Sequence, residues 1–169
     1  IKEGAQCHQL VQNIDFAPTF LALAGVKKPA EMSGRSLQPL FKGDRVKNWR
    51  KDLYYHYYDY PTYHLVRKHD GVRNDRYKLI HFYGKGSDRA VQENKYQRTP
   101  GTGEYYTYQA LKKINYFRDD ADIDYYELYD LQTDPDELNN IYGKPGTEKV
   151  TKQLLKRLAD YRKTLKVDE

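Results

Sequence analysis

The sequence predicts an α+β fold, a small antiparallel sheet of about four strands packed against a long C-terminal helix. Three observations predict it. Four short segments rich in Tyr, Leu, Ile and Val are separated by turn signals, which is how strands of a small sheet are punctuated. Val150, Leu154, Leu158, Tyr161 and Leu165 recur at helical spacing near the C-terminus and give one apolar stripe. The third is tyrosine content: 18 of 169 residues are Tyr, and each buries a large ring while its hydroxyl stays wet or bonded. A folded domain is therefore expected despite a mean hydropathy of -1.00.

The elements follow in order. Leu10 to Ile14 reads as a short strand, and Asp15 stands where a helix N-cap belongs. Pro18 falls in the first turn, where no internal bond is lost. Phe20, Leu21, Leu23 and Ala24 supply an apolar face, and Gly25 is a natural stop. A helix of about ten residues is marginal alone and needs a surface to pack on. Residues 27–51 are irregular, punctuated by Pro29, Gly34, Pro39 and Gly43, with one apolar turn at Leu37, Leu40 and Phe41. The main boundary is placed here, near residue 45, dividing residues 1–45 from 46–169.

Leu53 to Tyr60 is an aromatic strand ending at Pro61. Gly71 to Asn74 and Tyr77 to Tyr83 read as two strands joined by a tight turn at Asn74 and Asp75. Tyr77, Leu79 and His81 share one face of the second, with Ile80 and Phe82 on the other. Apolar residues on both faces mark an inner strand. Residues 84–124 form a polar excursion with one short helix near 108–114. Glu127 to Leu131 is the last strand, and Thr133-Asp134-Pro135-Asp136 is a turn. Thr147 is expected to cap the final helix, which runs to about Lys166. No internal repeat or low-complexity tract occurs.

Chemistry is scarce. Cys7 is the only cysteine, so no internal disulfide exists, and it has no basic neighbour that would make it a nucleophile. None of His8, His56, His64, His69 and His81 has a second His or Cys at the spacing of zinc ligands. His56 and His81 lie in strands, where a packed or hydrogen-bonded imidazole is the default. Asp119, Asp120, Asp122 and Asp124 resemble the opening of a calcium loop. Counted from Asp120, though, Tyr125 stands where Gly is required and Leu131 where a bidentate acid is required. A solvated acidic turn accounts for them better. No Gly-rich phosphate loop precedes a helix, and no apolar run is long enough to span a membrane. The net charge of +5 is spread along the chain among acids and points only weakly to an anionic partner. The aromatics form no RNA-binding signature, and no recognition-helix pattern occurs.

The basic cluster Arg67, Lys68, His69, Arg73 and Arg76 brackets the tight hairpin. Guanidinium groups match sulfate and carboxylate oxygens through paired hydrogen bonds. The plainer reading, that Arg73 pairs with a structural acid while the rest face water, is favoured by the chemistry alone. Tyr54, Tyr55, Tyr57, Tyr58 and Tyr60 invite a sugar-stacking reading. Alternation sends them to opposite faces, so at most half share a surface, and core packing or an interdomain seam is the better use.

Five stretches taken in order resemble the C-terminal end of sulfatases of the alkaline-phosphatase-like superfamily. They are VQNIDFAPTFLALAGV (Val11 to Val26), GRSLQPLFKG (Gly34 to Gly43), the aromatic strand after Trp49-Arg50, GVRNDRYKLIHFY (Gly71 to Tyr83) and ELYDLQTDPDELNN (Glu127 to Asn140). Each alone is weak; five in order across most of the chain are a strong match. The excursion from Gly84 to Asp124 matches least. The chain opens on Ile1, and IKEGAQ reads as text from within a longer protein.

The resemblance implies that residues 1–45 close a large α/β sulfatase domain, contributing its last strand and helix. Residues 46–169 would be the smaller C-terminal subdomain, an antiparallel sheet with a long helix beside the active-site mouth. It implies a sulfuric ester hydrolase acting on sulfate esters or N-sulfates of a sulfated carbohydrate or glycosaminoglycan. Its formylglycine, made from Cys or Ser in a Cys/Ser-x-Pro-x-Arg motif, and its Ca2+ would lie upstream of Ile1. Cys7, in CHQLV, does not match that motif. No catalytic or metal residue is therefore carried over, and this part is expected to be inactive alone. His69, just before GVR, stands where such sulfatases often carry a basic or polar residue facing the cleft. It leads the substrate-binding candidates, with Arg67 and Arg73 behind it. An exported, periplasmic or secreted, location follows from the family. The alternatives are a phosphonate or phosphate ester hydrolase of the same superfamily, or a stand-alone module binding acidic polysaccharide.

Overall fold

The computed structural model describes residues 3–4, 6–41, 46–57, 66–84 and 122–167. The chain divides into two compact units, Ile1–Leu53 and Tyr54–Glu169. The boundary expected near residue 45, the end of the first strand at Pro61, His64, and the short helix expected near 108–114 lie outside the described residues.

In the first unit, helix α1 spans Phe16–Leu23. A 3-10 turn, Asn13–Asp15, leads into it, and a second, Gln38–Leu40, follows. The strand expected at Leu10 to Ile14 does not form. The Leu10 carbonyl accepts the Trp49 indole N–H at 2.7 Å, and Asp15 N–H closes a turn on the Gln12 carbonyl. Backbone groups taken by a side chain and a turn are not available to a ladder.

Asp15 also departs from expectation. It is fully buried and makes no side-chain cap on α1. Its carboxylate accepts the backbone N–H of Gln12 at 2.8 Å and of Arg35 at 2.9 Å. It forms a two-pronged pair with Arg50, one prong at 2.7 Å. Burial works to raise its pKa, but the Arg50 and backbone hydrogen bonds and the Arg50 charge together hold the carboxyl below the usual value. One acid thus ties three separate segments together. Gly34 fits beneath this knot because it has no side chain: a Cβ there would stand 2.0 Å from the Ile14 carbonyl oxygen. Gly25, at φ 70°, ends α1 as the sequence predicts.

The second unit is the α+β layer predicted. Strands β1 (Asp52–Tyr57), β2 (His69–Asn74), β3 (Tyr77–Gly84) and β4 (Ile123–Asp130) form a sheet in that order. The β2–β3 and β3–β4 pairs are antiparallel, so β3 is an inner strand. The hairpin between β2 and β3 is closed by the Asn74 side chain, which accepts the N–H of Arg76 at 2.9 Å and of Tyr77 at 2.7 Å.

Helix α2, Glu148–Leu165, packs on one face of the sheet. Leu154 and Leu158 meet Val72, Leu79 and Leu128, which lie in register across β2, β3 and β4. Val150 and Tyr161 pack beside them, but Leu165 is 44% exposed and falls off the stripe. The Thr147 hydroxyl donates backward to the Lys144 carbonyl at 2.7 Å and so does not cap α2 as expected. Among the described residues no helix is long and apolar enough to cross a membrane.

Candidate substrate-contact site

Alternation along the strands sends adjacent residues to opposite faces. The register places His69, Phe82 and Tyr125 side by side on the face away from α2, while Asp70, His81 and Tyr126 line up on the α2 face. The two faces have different chemistry.

On the α2 face the polar groups form a closed network. Asp70, fully buried, accepts from Arg162 Nε and Nη2, each at 2.7 Å, and from the Tyr54 hydroxyl at 3.0 Å. Arg162 Nη2 also donates to His81 Nδ1 at 2.6 Å. A guanidinium only donates, so Nδ1 is the acceptor and His81 Nε2 carries the hydrogen, which it gives to Asp124 at 2.7 Å. Nearby, His56 Nε2 and the Tyr83 hydroxyl lie 2.9 Å apart. Burial lowers the His56 pKa; Asp70 opposes this, and the cations Lys68 and Arg162 reinforce it. These groups brace the sheet against the helix, the packed role expected of His56 and His81.

The opposite face carries the candidate residue His69. His69 is half-buried at the start of β2. Its ring is stacked on Tyr57 with centroids 5.5 Å apart, meets Tyr55 edge-on at 5.8 Å, and lies 5.0 Å from the Phe82 ring. Phe82 in turn stacks on Tyr125 at 4.7 Å. The Tyr55 ring lies across Gly71, where an added Cβ would come within 2.6 Å of it. His69 Nδ1 stands 2.7 Å from the Arg67 carbonyl. A carbonyl only accepts, so Nδ1 holds a hydrogen and Nε2 is left over. No described partner takes Nε2. The Tyr55 and Tyr57 hydroxyls are buried without a hydrogen-bond partner among the described residues. Burial pushes the Tyr55 pKa well above its usual value, and the charges of Glu137, Asp70 and Glu127 add to this. Burial and the Glu127 hydrogen bond push Tyr129, farther along the same face, up to about 12.

The three predicted site residues separate. Arg67 and His69 are joined through the Arg67 carbonyl, and the Arg67 charge acts on Tyr125. Arg73 is exposed, on the same face as His69 but four residues along β2, roughly 13 Å away by strand rise. Tyr55, Tyr57 and Phe82, which wall His69, are not among the predicted site residues. Their signal is alternation: in LYYHYY every second Tyr shares a face. Of the other cluster members, Arg76 pairs with Asp130 at 2.7 Å, and Lys68 Nζ lies 4.6 Å from the centre of the Tyr83 ring.

Among the described residues no group of three or more His, Cys, Asp or Glu side chains could hold a metal ion. Cys7 is exposed and lies outside any Cys-x-Pro-x-Arg context. The described residues therefore do not fit a calcium ion or a formylglycine.

The second unit is thus a four-stranded sheet under one long helix, with a histidine walled by aromatic rings on the face away from that helix. The family N-sulphoglucosamine sulphohydrolase, C-terminal, matches residues 1–100 and 93–164, and the chain belongs to it. N-acetylglucosamine-6-O-sulfatase of Bacteroides thetaiotaomicron is 36% identical over 98% of this chain and 24% of its own length. The human N-acetylglucosamine-6-sulfatase is 30% identical over 83% of this chain and 24% of its own. The chain thus spans about a quarter of these relatives. A solved structure of BT4656 in complex with its substrate D-glucosamine-2-N,6-O-disulfate covers all of this chain, with 27% of its own length matched. It is 36% identical, with a TM-score of 0.74. A phosphonate monoester hydrolase from Silicibacter pomeroyi, 17% identical at a TM-score of 0.58, shares the fold alone.

Proposed function

We propose that this chain is the C-terminal part of a sulfatase that hydrolyses sulfate esters or N-sulfates of a sulfated carbohydrate of glycosaminoglycan type. The observation that carries the reading is the 36% identity to an N-acetylglucosamine-6-O-sulfatase across nearly the whole chain. In this reading residues 1–45 complete the α/β catalytic domain and residues 46–169 form the subdomain at the cleft. The formylglycine and Ca2+ belong to the upstream domain, and the enzyme is exported, periplasmic or secreted. This chain's own contribution is to shape the substrate cleft. His69, held by the Arg67 carbonyl and three rings, touches the sugar, with Arg67 beside it and Arg73 farther along the strand.

The test uses the full-length enzyme and D-glucosamine-2-N,6-O-disulfate, with released sulfate measured. The expected result is turnover by the full-length enzyme and none by residues 1–169 alone. His69→Ala should raise KM while kcat changes little, because a contact made equally in ground and transition states affects binding. Sulfate release by the isolated chain, or an unchanged KM in a folded His69→Ala enzyme, would overturn the reading.

A further inference from the structure

We propose that the solvent face of α2 is a docking surface for a sulfated polysaccharide chain, formed by a stripe of four lysines, Lys149, Lys152, Lys156 and Lys163, that begins at a small groove by the start of the helix. The choice of partner rests on the proposed sulfatase reading; the surface itself does not.

Along the sequence, 29 Lys and Arg residues are interspersed with 24 acids. Around α2 the charges are sorted. At 3.6 residues per turn the four lysines fall within about 60° of one another, on the side opposite Leu154 and Leu158, which pack on the sheet. All four are exposed, and among the described residues none forms an ion pair. Two acids border the stripe, and both are engaged. Asp160 lies 3.8 Å from Arg157, and Glu148 Oε1 accepts the Gly146 N–H at 3.1 Å. The stripe runs roughly 21 Å along the axis, longer than one sugar ring.

This arrangement works against the helix. Lys149 with Lys152, and Lys152 with Lys156, are like-charge neighbours at three and four residues, which destabilises an isolated helix. Lys149 also stands in the first turn, where the helix dipole disfavours a cation. These neighbours are about 5–6 Å apart between Cβ atoms, inside the Debye length of about 8 Å at physiological salt, so their fields add. A linear polymer with repeated sulfates meets all four cations and relieves the repulsion; a single small anion meets one.

The N-terminal end of the stripe carries a second feature. A groove of about 330 Å3 is lined by Lys152 together with Tyr142, Lys144, Thr147, Thr151 and Leu155, and Glu148 borders it. The Thr151 hydroxyl oxygen is buried without a hydrogen-bond partner among the described residues. A Tyr ring and a Leu offer an apolar wall to a pyranose face, while hydroxyl and ammonium groups offer donors to its oxygens. Other polyanions fit less well. Tyr161 is the one aromatic residue of α2 and packs on the core, so the stripe has no ring on which a nucleic-acid base could stack. The apolar face that a membrane-surface helix would insert is already buried against the sheet.

The test measures heparin binding by the full-length enzyme. A variant with Lys149→Gln, Lys152→Gln, Lys156→Gln and Lys163→Gln is compared with a control carrying the same charge change in the first unit, Lys27→Gln, Lys28→Gln, Lys47→Gln and Lys51→Gln; all eight lysines are exposed. The stripe variant should raise the heparin Kd about tenfold or more at about 0.1 M salt, with a shallower slope of log Kd against log salt, because fewer counterions are released. The control, and a variant with Arg at the four stripe positions, should stay close to wild type. Adding Lys144→Gln to the stripe variant should raise Kd further. KM for D-glucosamine-2-N,6-O-disulfate should not move in any of them, since a monosaccharide cannot reach along the stripe.

An unchanged heparin Kd in the stripe variant, or an equal loss in the control, would overturn the inference. So would tighter wild-type binding to single-stranded RNA or to phosphatidylserine vesicles than to heparin at the same salt. No further loss from Lys144→Gln would overturn the groove's part in it. If the full-length enzyme releases no sulfate while the stripe variant still loses heparin, the sulfatase reading fails and the docking surface stands.

Discussion

Replacing Arg162 by Met keeps most of the side-chain stem and deletes the guanidinium that joins α2 to the sheet. Asp70, fully buried, takes two hydrogen bonds from that guanidinium and another from the Tyr54 hydroxyl. Breaking a buried ion pair by removing one partner costs about 3–5 kcal/mol, because the other charge is stranded. His81 Nδ1 also loses its donor, worth about 1 kcal/mol more. Met returns some of this by packing against Tyr83, over which the guanidinium sits at 5.1 Å. The expected net loss is about 4 kcal/mol, a large share of the roughly 5–15 kcal/mol that holds a domain folded.

Urea unfolding of the chain, followed by far-UV circular dichroism to report α2, measures the loss. The double variant Asp70→Asn, Arg162→Met strands no charge and should recover part of it, giving a coupling energy well above the scatter of independent sites. A loss below about 1 kcal/mol for Arg162→Met would refute the reasoning. So would a double variant whose cost is the plain sum of the singles. Either result would mean that Asp70 finds water or another donor as readily as the guanidinium.

Three further outcomes follow from the packing. Gly34→Ala drives a Cβ to 2.0 Å from the Ile14 carbonyl oxygen, and the backbone must shift, so thermal denaturation should show a loss of at least about 1–3 kcal/mol. Leu158→Ala empties a site only 2% exposed at the centre of the α2–sheet core and should cost about 2–5 kcal/mol in the same assay. The folded state holds the His56 pKa below the ordinary 6.5. Its contribution is therefore full above that value and is lost as pH falls through it toward the folded pKa. Stability measured across that window should decline on acidification, and His56→Gln should flatten the slope.

The sheet and final helix were legible because their signals are local. Alternation in Tyr77 to Phe82 assigns both faces of β3, and the spacing of Val150, Leu154 and Leu158 assigns one stripe of α2. The Asn74 turn announces itself through side-chain chemistry that acts within three residues. Asp15 shows where local reading stops. In sequence it stands before a helix and reads as a cap; in the structure its partners are Arg35 and Arg50, brought in by the chain's return. A carboxylate offered two guanidinium prongs and two amides binds them in preference to one frayed turn. Asp70 and Arg162, 92 residues apart, left no local trace at all. At the candidate site, His69 was legible as a basic residue near a hairpin end, and its ring walls only as every second Tyr of β1. Its contact with the Arg67 carbonyl, a backbone group, is one to which no sequence pattern points.

His69 and Asp70 are neighbours in sequence and sit on opposite faces of β2. Asp70 is clamped by Arg162 from the helix, and His69 is walled by rings. The peptide between them cannot rotate one residue without turning the other, because the dihedrals on either side of it are set by the ladder to β3. The buried pair on the α2 face therefore fixes the strand that carries His69. A buried ion pair thus holds β2 from one face and a wall of stacked rings holds it from the other.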